Sequence, residues 1–312
     1  MVNSVTRAIT IGRGLGNRAK RVARRWIPRQ HPHWSIGIYV GNSPFHLGAP
    51  ADVANPVLTR HDLQDVRAHF VADPFMLRVD GTWYMFFEIL NHDTGKGEIS
   101  LATSDDGFTW TYRRVVLAEA FSLSYPYVFE WMNEYYMIPE SRRAGSVRLY
   151  RASAFPEQWT CVGTLLERGF VDTSVFHYDG RWWLFAETNP RIRHDTLRLF
   201  HAPDLPGPWR EHRKSPLVRQ NPRMARPAGR VLVVGSRVIR FAQDCYPTYS
   251  TAVRAFEVTT LTPMEYDERE CIASPILGPG DAPWNQSGMH HIDAHLLEEG
   301  RWIACVDGHG SS

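Results

Sequence analysis

"FVADPFMLRVDGTWYMFFE" occupies residues 70–88, and "FVDTSVFHYDGRWWLFAE" at 170–187 comes close to repeating it. In both, apolar runs flank Asp-Gly, the dipeptide that favours a two-residue hairpin turn. Each copy carries an Asp near its start (Asp73, Asp172) and ends on a Glu (Glu88, Glu187). A third version, "YPYVFEWMNEYYMIPE" at 125–140, turns on Asn-Glu, starts on Tyr125 and ends on Glu140.

A second pattern runs behind the first. "LATSDDGFTW", "RASAFPEQW" and "HAPDLPGPW" place Ala102, Ala152 and Ala202 fifty residues apart, and end on Trp110, Trp159 and Trp209. Each segment lies between two strand-like runs. A hairpin followed by two more strands makes a four-stranded unit, and the unit recurs. "GRVLVVGSRVIRFAQD" with "TAVRAFEVTTLTPMEY" gives a looser fourth copy, and "HHIDAHLLEEGRWIACVDGH" begins a fifth that stops after two strands. The free run "WSIGIYVG" (34–41) is the natural candidate to complete it. Four-stranded units at about 40–50 residues predict an all-β protein, a five-bladed β-propeller spanning 31–312. A β-sandwich, the competing architecture, needs no fifty-residue period.

With the hairpins aligned, acids fall into two columns: Asp73, Tyr125, Asp172 and Asp293, then Glu88, Glu140, Glu187 and Asp307. The start and end of a tight hairpin lie at one level, so both columns are expected at one mouth of the central channel. Like charges gathered in one site raise one another's pKa. Blade packing does not need them, whereas glycosidic-bond chemistry needs a pair of carboxyl groups. The fourth unit departs from the pattern, with Arg226 in "ARPAGR" and Arg240, Gln243, Asp244 and Tyr249 in "RFAQDCYPTY". Arg226 is expected either to pair with the acids or to grip an anionic part of a substrate. In "MHHIDAHL", His291, Asp293 and His295 share one side of a strand and His290 the other. Steps of about 6.6 Å along a strand are too wide for one ion to take all three, so no metal is expected, and hydrogen bonds to sugar hydroxyls or to neighbouring acids are.

Charge is unevenly spread. Residues 1–30 carry eight of the 35 basic side chains and no acid, while all 33 acids lie on the body. The arm reads either as a solvated tail or as a peripheral contact with an anionic membrane through residues 7–29, where "RVARRWIP" mixes cations with Trp26 and Ile27. The basic patch does not continue into the body, so nucleic acid is not an expected partner. No apolar run reaches the roughly 18 residues of a membrane span, and no apolar core follows the basic start as in a secretion signal. The four cysteines show no paired spacing. These features lead to the expectation of a cytoplasmic protein, membrane-peripheral where the arm meets an anionic leaflet. "GRGLGN" (12–17) lacks the preceding strand of a phosphate loop.

"FVADPFM", "PES", "VDTSVF" with "WWLFAE", "RPAG", "AQDC" and "HHIDAH" together resemble one group. It lies among the propellers of glycoside hydrolase family 43, the invertases and the levansucrases. The nearer likeness, over roughly 34–309, is to the N-terminal domain of plant glucosamine inositolphosphorylceramide transferases and their bacterial single-domain relatives. The hydrolase relatives use three acids at inner-strand starts as base or nucleophile, pKa modulator and general acid. Asp73 matches the first, but Tyr125 stands for the second and Asp172 for a Glu. The resemblance therefore implies a carbohydrate or glycolipid substrate, no cofactor, and glycosyl transfer in surface-polysaccharide or glycolipid assembly. Asp73 would be base or nucleophile, Glu140 or Glu187 the acid, and Asp172 a further catalytic acid. Glu88, Tyr125, Arg226, Gln243, Asp244, Tyr249, His291, Asp293 and Asp307 would contact substrate. A furanosidase-type hydrolase and a non-catalytic sugar-binding propeller are the alternatives. "TSDDGFTW" also matches the Asp-box turn of sialidase-type propellers, which makes Asp105 and Gly107 structural.

Overall fold

The computed structural model describes residues 33–188, 193–297 and 300–310. The basic arm and its membrane reading lie outside them. The chain opens with β1 (His33–Ser43) and β2 (His46–Gly48). Blade one follows as β3 (Ala68–Val79), β4 (Thr82–Asn91), β5 (Gly97–Ser104) and β6 (Thr111–Leu117). Blade two is β7 (Ser124–Trp131), β8 (Glu134–Glu140), β9 (Val147–Ala154) and β10 (Gln158–Leu166). Blade three is β11 (Val171–Tyr178), β12 (Arg181–Glu187), β13 (Leu197–Ala202) and β14 (Arg210–Glu211). Blade four comprises β15 (Arg226–Pro227), β16 (Leu232–Val234), β17 (Arg237–Asp244), β18 (Ala252–Leu261) and β19 (Tyr266–Glu270). The last blade takes β20 (Ile292–Leu296) and β21 (Trp302–Gly310) from late in the chain and joins them to β1 and β2, in the order β2-β1-β21-β20. The protein is an all-β five-bladed propeller. Its fifth blade takes two strands, not one, from the start of the described chain.

Alternation within each blade sends apolar side chains to both faces, and they fill the gaps between blades. Ile36 and Ile38 of β1 meet Val71 and Met76 of blade one. Phe75 and Phe86 meet Tyr125, Tyr127 and Trp182 across blades one to three. Phe176 and Trp183 pack against Val231 and Val238, and Phe241 packs against Ile292 and Ala304. Burying such side chains is worth roughly 1.5–3 kcal/mol each, so it is these interfaces that hold the ring together.

The Asp-box turn belongs to Asp106, not Asp105. Asp106 Oδ1 accepts from the Phe108 and Thr109 amides at 2.7 Å and from Ser104 Oγ at 2.8 Å. Gly107 has φ +81° and closes the turn with its amide on Ser104 Oγ at 2.9 Å.

The channel is filled from the side. Arg230 of blade four reaches across it, donating from Nε to Asp293 Oδ1 at 2.6 Å and from Nη2 to the Val128 carbonyl at 2.9 Å. Asp293 Oδ2 also accepts from the Met76 amide at 2.6 Å and contacts His295 Nε2 at 2.9 Å. One ion pair thus ties blades one, two, four and five. Beside it, the Gly229 amide donates to the Tyr125 hydroxyl at 2.5 Å. Gly229 has φ +134°, and a Cβ there would meet the Ile292 carbonyl oxygen at 1.7 Å, so only glycine fits.

Candidate functional site

Three residues of the first column share an unusual backbone. Asp73, Tyr125 and Asp172 have φ of 53°, 47° and 47°, and each lies at a break in ladder register between the two innermost strands of its blade. Left-handed backbone at a residue other than glycine is uncommon, costs on the order of 1–3 kcal/mol and gathers at functional sites. The bulge turns Asp73 and Asp172 out of the alternation.

The second column sits opposite. Glu88 pairs with Ala72, Glu140 with Ser124 and Glu187 with Val171. In blade four Gln243 pairs with Arg226 in the same ladder position, so the fourth column member is an amide. Gln243 is buried and donates from Nε2 to Asp172 Oδ2 at 2.7 Å. Arg226 Nε donates to the same oxygen at 2.5 Å. Arg226 Nη1 lies 3.0 Å from His194 Nδ1, and its guanidinium lies 5.0 Å from the Tyr249 ring centroid. Pairing with the acids is therefore what Arg226 does in this structure, and Gln243 is a positioning group for Asp172. Tyr249 is 39% exposed and meets the His290 ring edge-on at 5.3 Å.

Asp73 has a different neighbourhood. It is 5% exposed, and its Oδ1 has no hydrogen-bond partner among the described residues. Its amide donates to Asp307 Oδ2 at 2.9 Å. His290 Nδ1 bonds Asp307 Oδ1 at 2.7 Å and leaves Nε2 3.7 Å from Asp73 Oδ1. Sequence reasoning put His290 on the wrong side of its strand for this role. The ladder that would enforce alternation begins only at Ile292.

Burial sets the proton affinities. It pushes the Asp73 carboxyl up to about 7, with the charges of Asp172 and Asp307 adding to it and His290 opposing. Glu140 rises to about 8 through burial and the neighbouring Asp172. Glu187 rises to about 7 through burial, against the pull of Arg226. Glu88 is driven well above the usual carboxylate range by burial and by Asp73. Asp307 goes the other way: burial opposes its charge, but His290 holds it below its usual value. The mouth thus holds several carboxyls, Glu140 and Asp73 among them, that keep their protons far closer to neutral pH than ordinary carboxyls do. That is the requirement for moving protons both ways.

Three expected contacts fall elsewhere. Tyr125 is fully buried, its hydroxyl occupied by Gly229 and Ser174. Asp293 pairs with Cys305, deeper in the channel, and is taken by Arg230. Asp244 is buried against Arg223 at 3.2 Å and Arg254 at 2.8 Å. These three have their polar atoms committed inside the fold. His291 stays at the site: its Nε2 lies 2.9 Å from the Pro74 carbonyl oxygen, and its buried Nδ1, without a hydrogen-bond partner among the described residues, lies 3.8 Å from Asp73 Oδ1. The structure also brings together a set that sequence spacing did not: Asp73, His290 and Asp307 offer ligand atoms within 4.8 Å of one another. Carboxylates and an imidazole at that spread suit a divalent cation, so the expectation of no metal, drawn from one strand alone, is too narrow.

A family model described as "Glucosamine inositolphosphorylceramide transferase 1, N-terminal" matches residues 28–309. The chain belongs to this family. It is 36% identical over 302 residues to glucosamine inositolphosphorylceramide transferase 1 of Oryza sativa subsp. japonica, covering 90% of this chain and 41% of the relative. The Arabidopsis thaliana protein of that name is 32% identical over 295 residues, covering 88% and 39%. The chain thus spans about two fifths of the length of the curated relatives it matches. Among solved structures, a β-1,2-mannobiose phosphorylase from Listeria innocua aligns with TM-score 0.61 at 12% identity, covering 87% of this chain and 96% of that one. An exo-β-1,3-galactanase from Clostridium thermocellum aligns with TM-score 0.55 at 12% identity, covering 68% and 51%. These share the fold of a family member whose named relatives are transferases.

Proposed function

We propose that this propeller catalyses glycosyl transfer onto a glycolipid headgroup, the acceptor being of the inositolphosphoryl type named in its relatives. The observation that carries the reading is the gathering of Asp73, Glu140, Asp172 and Glu187 at one mouth, with Asp73 Oδ1 buried and without a hydrogen-bond partner among the described residues. Glu140, pushed up to about 8, is the general acid that protonates the leaving oxygen. Asp73, with a free buried Oδ1, is the base that takes the acceptor hydroxyl proton, or the nucleophile in a two-step route. Asp172, held by Arg226 and Gln243, fixes the negative charge that a positively charged sugar ring needs in the transition state. Tyr249 supplies an exposed aromatic face at the rim.

The test is a mass-spectrometric turnover assay. It offers nucleotide sugars and aryl glycosides, with and without inositolphosphoryl lipid acceptors, to wild type and Asp73→Asn. Acceptor-dependent product that drops about 10²–10⁴-fold in the variant is the expected result. Free sugar released without acceptor would make the protein a hydrolase instead.

A second reading has one observation in its favour: the relatives' named activity belongs to chains more than twice as long. If this propeller is a sugar-binding module, glycan affinity survives Asp73→Asn and no product forms with either protein.

A further inference from the structure

Beside Glu187 lies a cavity of about 420 Å³ lined by Arg142, Arg168, Gly169, Val171, Thr188 and Arg198. Three arginines converge there from three places. Arg142 belongs to the short turn after β8, Arg168 to the segment that leads into β11, and Arg198 to β13. Gly169 permits the approach of the first two, since a Cβ there would lie 2.7 Å from the Arg142 carbonyl oxygen and 3.2 Å from Arg142 Cγ.

The charges in this cavity are poorly matched by protein groups. Arg198 bonds Glu211 through Nη1, but its buried Nε has no hydrogen-bond partner among the described residues. Neither Arg142 nor Arg168 forms an ion pair with an acid among the described residues. The one acid lining the cavity is Glu187, whose Oε1 is buried and also unpartnered. Three clustered cations facing one lining carboxyl, with Arg198 alone holding an ion pair, remain short of counter-charge, and guanidinium forks match phosphate oxygens in geometry and charge. Val171 and Glu187 pair with each other and border the Asp172 position, so an anion held here is adjacent to the proton-transferring groups.

We infer that this cavity is a phosphate-ester subsite, holding a substrate phosphate while the sugar lies over Asp73 and Glu140. The inference deepens the transfer reading and rests on it for the placement of the sugar. A lipid headgroup phosphodiester and a nucleotide-sugar pyrophosphate share the required chemistry.

The test is calorimetric titration of the full chain with myo-inositol 1-phosphate, UDP and inorganic phosphate, and with myo-inositol as the uncharged control. Saturable binding of a phosphate-bearing probe is expected, weakening about tenfold for each arginine in Arg142→Ala and Arg168→Ala and about a hundredfold in the double variant. Arg143→Ala, at an exposed neighbour that does not line the cavity, is expected to leave affinity unchanged. Preference for inositol phosphate identifies the headgroup as the source, preference for UDP identifies the donor, and equal affinity for inorganic phosphate identifies free phosphate. No saturable binding of any probe, or affinity indifferent to both arginines in folded variants, overturns the subsite. Wild-type turnover, read beside the binding, separates the two ideas. Arginine-dependent binding with no turnover in wild type sinks the transfer reading alone, while turnover without such binding sinks the subsite alone.

Discussion

Asp73 and Asp293 are both buried aspartates on innermost strands, a few residues apart in depth, and they are held in opposite ways. Asp293 accepts from a guanidinium, a backbone amide and an imidazole, and Arg230 with His295 holds it below the usual carboxylate range despite burial. Asp73 keeps one oxygen without a partner and sits up near 7. Burial alone does not decide what a carboxyl does. A fully hydrogen-bonded one fastens blades, and one whose Oδ1 lacks a hydrogen bond, beside other acids, is left ready to accept a proton.

The comparison breaks first at Arg230. Arg230→Ala leaves Asp293 as an uncompensated buried charge and is expected to cost about 3–5 kcal/mol, lowering the thermal midpoint by roughly 10 °C. A shift as small as that of a surface substitution would remove Asp293 from its structural role.

Asp73→Asn should act in the other direction. In wild type the unfolded chain ionises Asp73 near its ordinary value, while the folded chain resists until about 7. The folded state therefore binds more protons between those values, and stability falls as pH rises through that window. The variant lacks this loss. Its gain over wild type should be absent below about pH 4 and reach the order of 1–3 kcal/mol by pH 8, read from chemical denaturation at both values. A constant difference across the range would mean that Asp73 is not held protonated.

A smaller effect sharpens the assignment of the acid. With Glu140 donating the proton, turnover should fall about tenfold per pH unit above about 8, and Glu140→Gln should lose that limb along with most of the activity. The smallest prediction concerns the turn. Asp106→Ala should cost about 1 kcal/mol through its lost backbone bonds, whereas Asp105→Ala, at an exposed position, should leave the unfolding midpoint nearly unchanged.

The sequence carried the architecture because a blade is written locally: Asp-Gly at 80–81 and 179–180 fixes two inner hairpins, and alanines fifty apart fix the repeat. The second column of acids was legible for the same reason, since tight turns preserve register. Asp293 was misjudged because its hairpin closes through a wider loop, with the Leu297 amide on the Arg301 carbonyl. Counting back from that loop as though it were a two-residue turn places Asp293 at the mouth, when it lies at the depth of Met76. Arg230 had a signal that went unused: a lone cation entering the apolar run "VLVV". The left-handed aspartates had none, because nothing in the residue spacing marks the break in pairing at which they lie. Arg142 and Arg168 lie more than twenty residues apart in irregular segments, and only the packing of blade two on blade three brings them together.

One consequence of the ring's closure concerns time. β21 supplies Asp307 and holds β1, and Asp307 in turn receives the Asp73 amide and the His290 ring. A chain emerging from the ribosome can form blades one to three early, yet its acidic mouth lacks a wall until β21 has emerged and docked. The tuning of these carboxyls therefore waits on β21, and a chain in which that strand has not docked carries its acids without the partners that set their proton affinities.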